Sequence, residues 1–153
     1  MVELIVVMVL TGILGAIGAA RFFNRTGFDA AAYAEQSAAM LRYAQKLAIA
    51  QNRPVYVQAT AQGLGLCYTA ANPCGAADLV PAPAGASSAN SLPGGVSMSL
   101  NPIGAAAFYF NGLGRPYLAA DTGDSSFEGL ALTVSGDGIT RTISVAQETG
   151  YVF

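Results

Sequence analysis

Met1-Val2-Glu3-Leu4-Ile5-Val6-Val7-Met8-Val9-Leu10-Thr11-Gly12-Ile13-Leu14-Gly15-Ala16-Ile17-Gly18-Ala19-Ala20 is almost continuously apolar and holds one charge, that of Glu3. It reads as a helix, and about 20 apolar residues in a helix span the hydrocarbon core of a bilayer. A carboxylate at the centre of such a segment costs roughly 2.5–3.5 kcal/mol. A charge kept at that cost points to a function and to a counter-ion. The first basic residue is Arg21, so Glu3 has no cation in its own segment. The expected partner therefore comes from another chain. The alternative is a carboxylate at the membrane edge among headgroups, since Glu3 stands near the end of the run.

Gly12, Gly15 and Gly18 weaken the second half of this helix, because glycine costs about 1 kcal/mol per interior site relative to alanine. They are candidate helix-melting positions, or points of close contact between helices. A signal peptide would need a basic region ahead of its apolar core, and only Met1, Val2 and Glu3 stand there. Arg21 and Arg25 would place the far end of the helix in the cytoplasm by the positive-inside rule, whereas a disulfide later in the chain would place it outside. A basic leader preceding Met1, since removed, reconciles the two.

The chain has 153 residues, of which 53% are hydrophobic and 10% charged. A charged fraction near 25% is usual for soluble proteins, so much of this surface suits burial against neighbours. The net charge is −2 and the seven cations are scattered, which gives no basic stripe for nucleic acid. The absence of histidine removes Ser-His-Asp and Cys-His catalysis and the usual zinc sites. The chain is therefore expected not to be an enzyme, with no catalytic residue, cofactor or metal. Cys67 and Cys74 enclose a Pro- and Asn-bearing loop and read as a disulfide. The alternative is two reduced, buried thiols.

Three segments follow: a hydrophobic helix over 1–23, an amphipathic helix over 29–52 and an antiparallel β domain over 54–153. Asp29 is the expected N-cap of the second helix. Tyr33, Ser37, Met40, Leu41, Ala44, Leu47, Ala48 and Gln51 fall on one face at helical spacing. Glu35, Arg42, Lys46 and Arg53 lie off it, and Pro54 stops the helix. Strands are expected at 55–59, 66–69, 96–100, 107–111, 117–120, 130–134 and 139–145, with a short one at 150–153. Residues 63–65 and 112–116 read as turns, and Gly136-Asp137-Gly138 as a tight hairpin. Residues 75–95 read as an irregular surface loop, bare or O-glycosylated.

Asp121, Asp124 and Glu128 share a loop with Thr122, Ser125 and Ser126. Calcium is conceivable there, but the spacing is not that of an EF-hand, and solvated turn residues are the expected reading. Asn24-Arg25-Thr26 is a glycosylation sequon. Phe108, Phe110, Tyr117, Tyr151 and Phe153 read as core or subunit contacts.

The opening Met-Val-Glu-Leu-Ile-Val-Val-Met-Val-Leu-Thr-Gly-Ile-Leu-Gly-Ala resembles the start of mature type IV pilins and type II secretion pseudopilins. Arg21-Phe22-Phe23 and Leu41-Arg42-Tyr43-Ala44-Gln45-Lys46-Leu47-Ala48 look like minor pilins of the mannose-sensitive haemagglutinin type. The stretches 108–116 and 140–152 resemble the β domain of GspH/FimT-type pseudopilins. The resemblance implies an α+β pilin fold, with one long N-terminal helix packed on a two-sheet antiparallel β domain. It aligns Glu3 with the family's assembly glutamate, and it implies that Phe-Thr and a basic leader ending in Gly precede Met1. It further implies cleavage by a prepilin peptidase, N-terminal methylation, residence in the bacterial inner membrane, and extraction into a periplasmic or extracellular filament of identical or related pilin subunits. The family's frequent proline at the end of the membrane half is replaced by Ala19-Ala20, so any melting falls to the glycines. The expected function is a structural subunit of a type IV pilus-like or type II secretion-like filament, in the shaft or at a minor position. The alternative is a DNA-binding minor pilin for DNA uptake, which needs a basic surface whose binding weakens with salt.

Overall fold

The computed structural model describes residues 2–22, 26–81, 89–102 and 107–153, and for 18–22 the backbone alone. Two helices come first, α1 (Val2–Phe22) and α2 (Thr26–Gln51). Eight strands follow: β1 (Val55–Thr60), β2 (Gly63–Cys67), β3 (Ala89–Ser91), β4 (Ser97–Asn101), β5 (Ala107–Phe110), β6 (Pro116–Leu118), β7 (Leu130–Gly136) and β8 (Ile139–Val145). They form a five-stranded sheet, β3-β2-β1-β5-β6, and a three-stranded sheet, β4-β7-β8. Every pairing is antiparallel. The α+β expectation holds, and helix and strands meet as the periodicities foretold.

α2 packs across both sheets, touching β7 and β8 on one side and β1, β3 and β5 on the other. Its buried face runs through Ala30, Tyr33, Ser37, Leu41, Ala44 and Ala48. Alternation in the strands sends Val55, Val57, Phe108, Phe110, Leu132 and Val134 to meet it. Phe127, from the loop before β7, closes the layer with its ring 5.2 Å from that of Phe108. These apolar faces, removed from water together, are the main source of stability.

Several boundaries differ from expectation. α2 begins at Thr26, so Asp29 lies in its first turn and is not the cap; a carboxylate there still favours the positive end of the helix dipole. Gln51 is exposed, because the helix has passed the edge of the sheet by then. The helix stops at Asn52, which takes a left-handed φ of 48°. Asn52 N–H donates to Ile49 and Arg53 N–H to Ala48, both at 3.2 Å, a Schellman closure in which Asn substitutes for Gly. Pro54 only follows it.

Residues 63–65 are not a turn but the start of β2, and the turn is Ala61-Gln62. Gly63 (φ 134°) is needed because a Cβ there would lie 1.9 Å from the Asn90 carbonyl oxygen. The loop expected over 75–95 contains β3, an edge strand paired with β2 at Leu64↔Asn90; residues 82–88 of it lie outside the described residues. The hairpin at 136–138 is formed as read, with Asp137 at φ 48° and Gly138 at φ 77°, the signature of a type I′ turn. The C-terminal segment folds back on β8 through a Val145↔Val152 bridge.

Candidate functional site

Every described side chain of α1, from Val2 to Ile17, is exposed. Val2, Met8 and Leu14 are 68–75% accessible, values of side chains that nothing in their own chain covers. Thr11 turns its hydroxyl inward, donating to Val7 O at 2.8 Å and Met8 O at 3.1 Å. The helix surface therefore stays apolar even at its one hydroxyl. Glu3 lies in the first turn, where a carboxylate also meets the positive end of the helix dipole.

The helix passes Gly12, Gly15 and Gly18 without a break. A Cβ at Gly12 or Gly15 would meet nothing within 4 Å, so no contact inside the chain requires glycine at either. The surroundings of Gly18, Arg21 and Phe22 lie outside the described residues, as do Phe23 and the Asn24-Arg25 of the sequon. Among the described residues no helix is long and apolar enough to cross a membrane.

Cys67 and Cys74 are joined as a disulfide. The loop that they close lies over the outer face of the larger sheet. The buried Gln58 amide donates to Ala71 O in that loop, Tyr68 N–H donates to Asp78 O, and Val80 N–H donates to Leu66 O. The Arg53 guanidinium sits 3.6 Å over the Tyr68 ring, fastening the loop to the C-terminal end of α2. On the uncovered part of the same face Tyr56, Tyr109 and Tyr117 stand in cross-strand register, with ring centroids 5.0 and 5.4 Å apart.

Asp121 organises the loop before β7. Its Oδ2 accepts the N–H groups of Leu118 (2.8 Å) and Ser126 (3.0 Å), and its Oδ1 accepts the Ser126 hydroxyl at 2.6 Å. Hydrogen bonds from Ser126, side chain first, hold its carboxyl below the usual carboxylate range. Both oxygens thus serve the loop itself. Among the described residues no group of three or more His, Cys, Asp or Glu is placed to hold a metal ion.

The model of the type II transport protein GspH family matches residues 33–149. This chain belongs to that family. The match begins inside α2 and runs through β8, so it covers the amphipathic helix and the β domain, while α1 stands outside it. The GspH domain shares its fold with the type IV minor pilin FimU of Pseudomonas aeruginosa, at 20% identity and a TM-score of 0.55 over 80% of this chain and 84% of that one. It also resembles the minor pseudopilin EpsH of Vibrio cholerae, at 12% identity and a TM-score of 0.58 over 82% of this chain and 94% of that one. No curated protein matches in sequence. The pilin-type resemblance read from the sequence is thereby met, and the fold is the pilin fold.

In this GspH domain some polar residues do work that helical spacing alone did not reveal. Arg42, read as lying off the buried face of the helix, donates from Nε to Val152 O at 3.3 Å. Gln45 donates to Thr149 O at 2.8 Å and to Gly114 O at 3.1 Å. Together they tie the C-terminal segment to α2. Phe108 and Phe110 are core, as expected, whereas Tyr151 and Phe153 are exposed and stacked at 5.9 Å.

Proposed function

We propose that this chain is a structural subunit, a pilin or minor pseudopilin, of a type IV pilus-like or type II secretion-like filament. The observation that carries the reading is α1, an apolar helix whose described side chains, from Val2 to Ile17, are all exposed, beside a packed domain. An exposed apolar surface of more than a few hundred Å² marks an interaction site. The family, and the two structural relatives described as minor pilin and minor pseudopilin, support the same reading.

In this scheme α1 helices of successive subunits pack together in a filament core, and the β domains form the outer layer. Glu3 takes its counter-ion from the N-terminal amine of a neighbouring subunit. Attraction between opposite charges strengthens steeply as the dielectric falls, and a slipped subunit leaves a buried charge alone. The pair therefore sets axial register. Gly12, Gly15 and Gly18 let the helix loosen or neighbours approach during assembly. Before assembly α1 holds the subunit in the inner membrane, where a prepilin peptidase processes it and its N-terminus is methylated. The Cys67–Cys74 bond fits the oxidising compartment that the β domain then occupies.

Expression of the full chain and of Glu3→Gln in cells with their own assembly machinery tests this. Wild type should appear in sheared filaments, and Glu3→Gln should remain cell-bound with its domain folded. Filaments of normal yield and spacing from Glu3→Gln would remove the role of Glu3. Absence of the wild-type chain from every filament would remove the filament role itself. A fibre dominated by this chain would place it in the shaft.

A further inference from the structure

Gly65 sits in the middle of β2, and nothing in its own chain requires a glycine there. Its φ is not positive, and a Cβ would meet only the Gln58 main-chain oxygen, at 3.9 Å. A glycine inside a strand weakens it, and often marks a bulge or a place where a ligand comes close. There is no bulge, since the β1–β2 register runs unbroken from Tyr56↔Cys67 to Thr60↔Gly63. Alternation along β1 turns Val55 and Val57 to the core and Gln58 to the outer face of the larger sheet. Gly65 lies opposite Gln58, and Gly63 opposite Ser91. Asn90 turns inward to Ser37, which leaves Ser91 outward. The two glycines thus form a floor without side chains, and Asn72 and Pro73 of the disulfide-closed loop stand beside it. The space between is a cavity of about 240 Å³.

Gln58 supplies its buried polar group. The residue is only 5% exposed, yet it lines the cavity. Its Nε2 is committed to Ala71 O, which fixes the orientation of the amide. Oε1 is left without a donor among the described residues, and it is not sealed from solvent. An acceptor so placed is costly until a donor reaches it.

We propose that this cavity binds one ring of a neutral saccharide. No lining residue is charged, so the ligand is recognised by hydrogen bonds and shape. A ring hydroxyl donates to Gln58 Oε1, and further hydroxyls meet Ser91 and Asn72, whose side chains have no hydrogen-bond partner among the described residues. The apolar face of the ring lies on the bare main chain of Gly63 and Gly65, with Pro73 at its side. The volume falls below the roughly 300–1,000 Å³ of sites for drug-sized ligands, which suits a single ring. A peptide added as a strand needs a sheet edge, whereas this cavity lies over a sheet face. The inference does not depend on α1 or on the filament reading.

Titration of the isotope-labelled full chain, held in a zwitterionic detergent that carries no sugar, tests this by NMR. The probes are glucose, galactose, mannose, N-acetylglucosamine and N-acetylgalactosamine, with glycerol and a neutral Gly-Ser peptide as controls. At least one sugar should shift the Gln58 side-chain amide and the Gly63 and Gly65 main-chain amides together, with half-saturation at or below about 10 mM. Gly65→Leu, which fills the floor, should abolish those shifts. Ser91→Ala, an exposed change that leaves the floor intact, should weaken binding about threefold or more, and it keeps the test decisive if Gly65→Leu disturbs β2. No saturable shift from any sugar, unchanged binding in Ser91→Ala and in a folded Gly65→Leu, or equal shifts from glycerol or the peptide would each overturn the proposal.

Discussion

Tyr33 donates its hydroxyl to the main-chain carbonyl of Asn90, 3.3 Å away, and so ties α2 to the short edge strand β3. Asn90 returns the link through its side chain, donating from Nδ2 to Ser37 Oγ at 3.3 Å. All three residues are buried. A buried polar group is tolerable only when paired, so the trio fixes where a three-residue strand must lie.

Tyr33→Phe should lower stability by about 1 kcal/mol, the net worth of one such bond, in urea unfolding of the full chain in detergent. It should also change the alkaline limb. Burial, its largest cause, raises the Tyr33 phenol above its ordinary 10.0. The folded state therefore holds that proton more tightly than the unfolded state, and stability present below pH 10 is lost as pH climbs through the folded value. Tyr109 is raised too, by burial first and then by Tyr56, Asp121 and Tyr117. Tyr33→Phe should accordingly flatten the alkaline loss without abolishing it. An unchanged slope would show that Tyr33 does not titrate in this window.

Asp121 gives the opposite sign. Its carboxyl is lowered below 3.8 by the Ser126 and Leu118 donors, so its contribution is present above that value and lost as pH falls through the folded one. Asp121→Ala should speed hydrogen exchange at the Leu118 and Ser126 amides at neutral pH while leaving the β7–β8 amides protected. Acidification of wild type should reproduce that local pattern before the sheet opens. Equal protection of Leu118 and Ser126 in wild type and Asp121→Ala would show that the carboxylate does not order the loop.

How much of this could be read from the sequence depended on whether the cause was local. Period 3.6 through Tyr33, Leu41 and Ala48, and period 2 through the strands, are local signals, and both were legible. So was the turn at Asp137-Gly138, where two residues dictate the backbone. The edge strand β3 was not, because its cause is distant: Tyr33 and Ser37 on α2, and the missing Cβ of Gly63 on β2. The same glycine read as a turn residue for want of that partner. Asn52 was hidden by Pro54, the louder stop signal two residues on. In the candidate site, the apolar helix was legible in the nearly unbroken run of apolar residues that forms α1. The engagement of Arg42 and Gln45 with the C-terminal segment was not, since nothing in helical spacing distinguishes a solvated polar side chain from one that holds a remote carbonyl.

The disulfide should stabilise the domain chiefly by restricting the unfolded chain. A loop with a sequence separation of 7 is worth about 2–3 kcal/mol on the chain-entropy model. Replacing both Cys67 and Cys74 by Ser should lower unfolding free energy by that amount in urea. It should also loosen the Gln58–Ala71 contact beneath the loop, visible as faster exchange around Tyr68 and Val80. A double variant as stable as wild type would show that Gln58 and Arg53 hold the loop without the covalent bond.

Gly136 marks a close approach between α2 and the smaller sheet. A Cβ there would stand 2.9 Å from Thr26 O and 3.1 Å from the Ala30 Cβ. Neither obstacle is the movable end of a long side chain, so the helix start itself must shift. Gly136→Ala should therefore cost about 1–3 kcal/mol, the range for overpacking a well-filled contact. Gly123→Ala is the control, because a Cβ at Gly123 meets nothing within 4 Å, and it should stay within about 0.5 kcal/mol of wild type. Urea unfolding of the two variants side by side separates steric conflict from any general effect of losing a glycine. Equal stabilities would mean that the first turn of α2 yields freely, and that its seat on β7 is looser than the close approach implies.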